Sequence, residues 1–219
     1  MNVAQIKKNF NEWYWNRISK GIIRPHYIKR IRNKYDYKNH PSPTLITSNC
    51  IGGEIYNDLG IRFMSPTINL WFEEEDFIKL AKRPEYYFSL DLEFINNPRN
   101  EKYPVARLDD ILVYFLHYSS EKEAEAKWND RCSRVQYDNM YLIMSDLRLS
   151  DESYSFFGDL KGYKKKILFT TDPSKRNDTD VFYIKNYIPN SYVRKYAVNR
   201  LNGFRDFELF FDFVSWLCD

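Results

Sequence analysis

Short apolar runs alternating with helical segments constrain this chain more than any other feature. Thr44–Thr47, Thr67–Trp71, Asp110–Tyr118 (DILVYFLHY), Asn139–Ser145 (NMYLIMS), Lys166–Thr170 (KILFT) and Val181–Lys185 read as strands. Such runs, rich in branched and aromatic side chains, suit a sheet buried on both faces. Helices are expected between them. Gly53–Leu59 is stopped by Gly60, and Glu73–Asp76 supply the acids that favour a helix start running to Lys82. Ser119–Val135 carries a cap at Ser120 and its partner Glu123. Glu152–Leu160 and the aromatic segment Phe207–Cys218 complete the set, Tyr86–Ile95 fits either state, and Thr171–Asp180 is a polar loop. The pattern predicts an α/β fold, a three-layer sandwich with a mostly parallel central sheet.

A basic arm precedes that domain. Val3, Ile6, Phe10 and Trp13 recur at helical spacing, with Lys7, Lys8, Arg17 and Lys20 on other faces. Gly21 and Pro25 are expected to end this helix, and a second basic helix follows from His26 to Tyr37. Pro41 and Pro43 close the arm, giving 1–41 as arm and 42–219 as a single α/β domain. Residues 1–38 hold ten Lys/Arg against two acids, Glu12 and Asp36, and the remainder holds 23 basic and 28 acidic residues. A basic arm on a mildly acidic body points to an anionic partner. Aromatic residues beside basic ones (Trp13, Tyr14, Trp15) suit a membrane interface, so peripheral membrane contact through residues 1–38 is expected. Docking on the chain's own domain or on a second subunit is the alternative. Nucleic acid ranks below both, because no recognition motif accompanies the charge.

The three cysteines, Cys50, Cys132 and Cys218, are odd in number and widely spaced, which fits neither a disulfide framework nor a zinc site. No run approaches the ~20 apolar residues of a membrane span, and the N-terminus has no apolar signal core. A cytoplasmic protein is expected. Aromatics make up 18% of the chain, which either base composition of the gene or stacking on sugars and bases explains.

The stretch LITSNCIGG, Leu45 to Gly53, carries the candidate chemistry. A strand ends there and a helix begins, where free amides and the helix dipole favour a negative group. Ser48, Asn49, Gly52 and Gly53 are substrate-binding candidates, and Cys50 is a candidate nucleophile. A tight turn around a buried thiol is the simpler reading of the same residues. The spacing matches neither a Walker loop nor a dinucleotide fingerprint, so nucleotide hydrolysis and NAD binding have little support, the cofactor is left open, and no metal ligands are expected. His117 and Asp146 also fall at expected strand ends and would serve as base and orienter if those strands were parallel neighbours. Asn69, an amide within an apolar run, and Arg131, one turn beyond Lys127, are further binding candidates.

Three blocks, LITSNCIGGEIYNDLGIRFMSPTINLWFEEEDFIKL (45–80), YPVARLDDILVYFLHYSSEKEAEAKWNDRCSRV (103–135) and DNMYLIMSDL (138–147), resemble a bacterial family catalogued as domain of unknown function 1919. The family is commonly labelled exopolysaccharide biosynthesis protein. The resemblance spans roughly residues 42–217, and the family pattern places Asn where Ser48 stands. It implies a place in capsule or exopolysaccharide assembly, with a polysaccharide precursor or a phosphorylated or acyl donor as partner. The turn at Asn49–Cys50 also resembles the Gly-Asn-Cys turn of some capsule acetyltransferases, which implies acyl transfer with Asn49 as an oxyanion donor. A transferase and a non-catalytic scaffold of a membrane-associated assembly complex are thus both expected readings.

Overall fold

A computed structural model describes residues 3–35, 39–145, 151–170, 172–184 and 198–219. Parts of four expectations lie outside these residues: Asp146, the end of the second arm helix beyond residue 35, Thr171 at the start of the polar loop, and Lys185.

The chain forms two compact units. One comprises Met1–Pro41, Asn57–Ile61 and Ile188–Asp219, the other Ser42–Tyr56 and Arg62–Tyr187. The larger unit is the expected α/β fold. Its parallel sheet runs β1 (Thr44–Thr47), β5 (Met140–Ser145), β6 (Lys165–Thr170), β7 (Val181–Tyr183), in that spatial order. The faces of this sheet are buried on both sides. Ile46, Leu142, Met144 and Leu168 join one core cluster, and the alternating Leu45, Tyr141 and Ile143 are equally inaccessible. Continuous apolar runs are what such strands require.

The helices that complete the larger unit's core cluster are α4 (Glu74–Lys82), α5 (Pro84–Phe88), α6 (Glu121–Cys132) and α7 (Asp151–Asp159). The expected cap of α6 is present: Ser120 Oγ accepts from Glu123 N–H, and Glu123 accepts from Ser119.

Strand β1 lies at the sheet edge, and its outward N–H groups are taken by side chains. Leu45 N–H donates to the Tyr56 hydroxyl and Thr47 N–H to Thr67 Oγ1, with Ser65 Oγ 3.0 Å from Thr67 Oγ1. An edge closed in this way offers no template for further strand pairing. It also corrects the expected strand at Thr67–Trp71. This segment is a turn whose Thr67 hydroxyl serves β1, and it touches a sheet through a bridge from Trp71 to Tyr114.

The run DILVYFLHY is corrected as well. Only Ile111–Tyr114 is a strand (β4), and it belongs to a separate antiparallel sheet with β2 (Glu93–Ile95) and β3 (Val105–Leu108). Asp109, at φ 52°, turns the β3–β4 hairpin. Phe115 and Tyr118 beyond it are apolar because they pack in the core, not because the strand continues.

Helix α3 (Ile51–Leu59) follows β1 closely and ends at Gly60, whose φ of 70° is the left-handed conformation of a helix stop. Gly52 is required by packing. A Cβ there would lie 2.7 Å from Thr47 Cγ2 and 2.8 Å from Ile68 Cδ1. We expect Gly52→Ala to destabilise the protein by about 1–3 kcal/mol. Gly158→Ala, in α7 with nothing within 4 Å, should instead be neutral or stabilising by up to ~1 kcal/mol. Urea denaturation of both variants checks the contrast.

In the smaller unit the arm helix does not stop at Gly21 and Pro25. Helix α1 (Val3–Tyr14) passes into a π-helical stretch, Trp15–Ile23, and then into α2 (Arg24–Lys34). Arg24 N–H reaches back five residues to Ser19 O. The widened turn takes up the register change, so Pro25 sits in the first turn of α2, where a missing N–H is tolerated. Gly21 permits the wide turn, since a Cβ would lie 2.9 Å from Asn16 O. Ser19 is buried and donates to Arg200 O and Leu201 O. The expected helix at Phe207–Cys218 is two short ones, α8 (Asp206–Phe210) and α9 (Phe213–Cys218). A buried ion cluster fixes this unit. Arg24 and Arg205 both pair with Asp58 and with Glu208.

Candidate functional site

Parallel pairing brings the carboxyl ends of β1 and β5 together, Thr47 opposite Ile143. The turn after β1 is built by its own polar groups. Thr47 Oγ1 donates to Asn49 O (2.9 Å), and Asn49 Oδ1 accepts from Ile51 N–H (3.0 Å). Across the strand ends Asn49 Nδ2 donates to Ser145 Oγ at 2.8 Å. Ser145 was not anticipated, although its place at the end of NMYLIMS is the same signal that marked Ser48. Ser48 and Asn49 are half-buried. Gly52 and Gly53 are buried, and the atoms nearest a Cβ on either are protein side chains, Thr47 and Ile68 for Gly52, Asn69 and Ile68 for Gly53. Their smallness therefore serves packing.

Cys50 is half-buried, and burial together with Glu54 pushes its thiol above the ordinary value. Cys132 is pushed up to about 12 by burial alone. Neither is poised as a thiolate. For Cys132, the thiolate fraction at neutral pH falls ~1000-fold, partly offset by greater intrinsic nucleophilicity. We expect iodoacetamide to modify it tens of times more slowly than glutathione, with Cys50 also slower, measured by mass spectrometry of the folded protein.

His117 does not join this edge. It is exposed in the turn after β4, in the antiparallel sheet, so the parallel-neighbour arrangement that would bring it to Cys50 is absent. Asn69 lies in the turn at φ 63°, a conformation asparagine tolerates, with its side-chain oxygen against Gly53. Trp71 packs edge-on to Tyr114, and the Arg99 guanidinium lies 4.2 Å over its ring. Among the described residues no cluster of His, Cys, Asp and Glu could hold a metal ion.

Arg131 is only 7% exposed. Its Nη1 donates to Ile68 O (2.9 Å) and to the Tyr118 hydroxyl (2.7 Å). It lines a cavity of about 360 Å³ with Arg62, Phe63, Lys127, Asp130 and Arg134. Sequence spacing had flagged Lys127 and Arg131. Arg134 enters from the turn just beyond α6, and Arg62 from the loop after α3, where it leaves no local signal.

Among the described residues no helix is long and apolar enough to cross a membrane. Helix α1 nonetheless buries none of its residues, and Val3 (78%), Ile6 (47%), Phe10 (58%) and Trp13 (53%) stand exposed along it.

Comparison with known proteins adds two findings. The chain is 32% identical over 175 residues to an uncharacterized protein of Haemophilus influenzae (strain ATCC 51907 / DSM 11121 / KW20 / Rd), covering 79% of this chain and 82% of that protein. Residues 21–218 match the family model described as Domain of unknown function (DUF1919). The match takes in α2, both sheets and the C-terminal helices, and the chain belongs to that family.

Proposed function

We propose that this protein is a peripheral component of cell-surface polysaccharide assembly, a binding or scaffold protein held on the cytoplasmic face of the membrane by its N-terminal helix. The observation that carries the membrane reading is the exposed stripe Val3, Ile6, Phe10 and Trp13 on a helix with no buried residue. Lys7, Lys8, Arg17 and Lys20 are exposed on the same arm. An apolar stripe with basic neighbours matches the chemistry of an anionic lipid surface. Each basic side chain near such a surface contributes ~1 kcal/mol. The polysaccharide setting rests on the resemblance of residues 42–217, and its partner there would be a polysaccharide precursor. Of the two readings, the scaffold is preferred to a Cys50-centred transferase because burial raises the thiol above its ordinary value and His117 lies in the turn beyond the antiparallel strand β4. Co-sedimentation at low salt tests the membrane reading. The full chain is expected to bind vesicles containing anionic lipid and not purely zwitterionic ones, and equal or absent binding to both would contradict it.

A further inference from the structure

The cavity beside α6 presents an unbalanced charge. Four of its six lining residues, Arg62, Lys127, Arg131 and Arg134, are cationic, and Asp130 alone is acidic. Asp130 is already committed: it pairs with Arg134 at 2.7 Å and with Arg62 at 3.4 Å. Among the described residues, Arg131 and Lys127 have no carboxylate within ion-pair distance. The exposed Lys127 makes no ion pair with Glu123, which feels its charge only at longer range while its carboxylate accepts from Ser119.

Arg131 is the more telling of the two. Buried charges are ordinarily neutralised by a partner. This residue is almost wholly buried, yet its hydrogen bonds go through Nη1 to a carbonyl and a neutral phenol, and it lines the cavity. Tyr118 is no hidden counter-ion, because burial holds its hydroxyl protonated. Lys127 and Arg131, at i and i+4 on α6, place like charges on one helix face at a cost in stability, and Arg134 joins them from the turn beyond the helix. Burial, with Arg62 and Arg131 nearby, holds the Arg134 guanidinium below its ordinary value despite Asp130. Phe63 supplies an apolar wall, its ring 5.3 Å from the Arg131 guanidinium carbon.

We propose that this cavity is a binding site for a phosphate-bearing ligand, with Arg131 as the buried anchor and Lys127, Arg62 and Arg134 closing on the phosphate oxygens. Several guanidinium groups around one pocket match the multiple acceptors of a phosphate. The volume lies at the small end of the ~300–1,000 Å³ range of ligand sites, enough for a phosphate with part of the group it esterifies. The site is independent of the membrane-binding arm.

Isothermal titration of the full chain with inorganic pyrophosphate, without lipid, tests it. One saturable site is expected, weakened at least tenfold in Lys127→Gln and further in Arg62→Gln/Lys127→Gln. Both side chains are exposed and their removal leaves the core intact. No saturable binding, equal binding by the double variant, or equal affinity for sulfate at matched ionic strength would overturn the proposal. A second arm separates the sources of the phosphate. Vesicles carrying a phosphoinositide should lose affinity for the double variant if the ligand is a lipid headgroup. They should bind it as they bind the wild type if the ligand is a free phosphorylated molecule.

Discussion

Replacing Phe10 and Trp13 together by glutamate is expected to abolish binding to anionic vesicles while leaving thermal unfolding unchanged. The two rings stand more than half exposed on α1, their centroids 5.9 Å apart and their planes tilted by 32°. They contribute nothing to a core, since α1 has no buried residue. Glutamate is a good helix former, so the helix itself is retained. On an anionic surface the picture reverses. Each ring withdrawn from water contributes on the order of 1–2 kcal/mol, scaled to its exposed part. Two added carboxylates replace that gain with repulsion. A loss of about 4 kcal/mol corresponds to roughly a thousandfold weaker partition. Co-sedimentation reads the loss and calorimetry confirms the intact fold. Unchanged binding by the variant would remove α1 as the contact.

Glu208→Gln should produce the largest loss of stability in the chain. Its side chain is fully inaccessible and receives hydrogen bonds from Arg24 (2.5 and 3.0 Å), from Arg205 Nη1 (2.9 Å) and from Arg205 N–H (2.8 Å). Removing the charge leaves Asp58 as the carboxylate that the two buried guanidinium groups share among the described residues. Breaking a buried pair in this way costs about 3–5 kcal/mol, or a Tm roughly 10 °C lower for a chain of this size.

The cluster also sets a pH dependence with two limbs. For Asp58, burial outweighs the pull of Arg205 and Arg24 and lifts the carboxyl to about 6. The folded state then binds a proton there before the unfolded chain does. Stability should therefore rise by about 1 kcal/mol as the pH falls from 7 to 5. Glu208 behaves oppositely. Burial disfavours its charge, but the hydrogen bonds from Arg24 and Arg205 prevail and hold it below its ordinary value. Its contribution is present above about pH 4.5 and is lost on further acidification. Urea titrations should show a maximum near pH 5, and Asp58→Asn should flatten the limb between pH 5 and 7. Stability falling steadily from pH 7 downward would contradict the assignment to Asp58.

Strands β1, β5 and β6 and helices α4 and α6 were legible because burial on both sheet faces and capping write themselves into local residue choice. The misread segments share a different cause. Thr67 looked like a strand residue, but its hydroxyl is spent on the edge of β1. Phe115 and Tyr118 looked like strand because core packing demands apolar residues in turns as well. Gly21 and Pro25 looked like a stop, and a π-helical turn, invisible in apolar periodicity, carries the helix through. For the site, Asn49 was correctly placed at the carboxyl end of β1, and its partner Ser145 follows from the parallel register. His117 was misplaced along with the strand that was to carry it. The cavity at Arg131 is half visible in the sequence, since helical spacing reveals Lys127 and Arg131 but not Arg134 in the turn beyond α6 or Arg62 from a distant loop.

The membrane account is tested most directly by the depth of α1 in a bilayer. Nitroxide labels placed singly at positions 6, 8, 10 and 13 of the full chain, read by oxygen and nickel-complex accessibility on anionic vesicles, report which face enters the lipid. Labels at Ile6, Phe10 and Trp13 should become oxygen-accessible and shielded from the nickel complex, while the label at Lys8 stays in water. Four labels remaining equally water-exposed on vesicles would contradict the account.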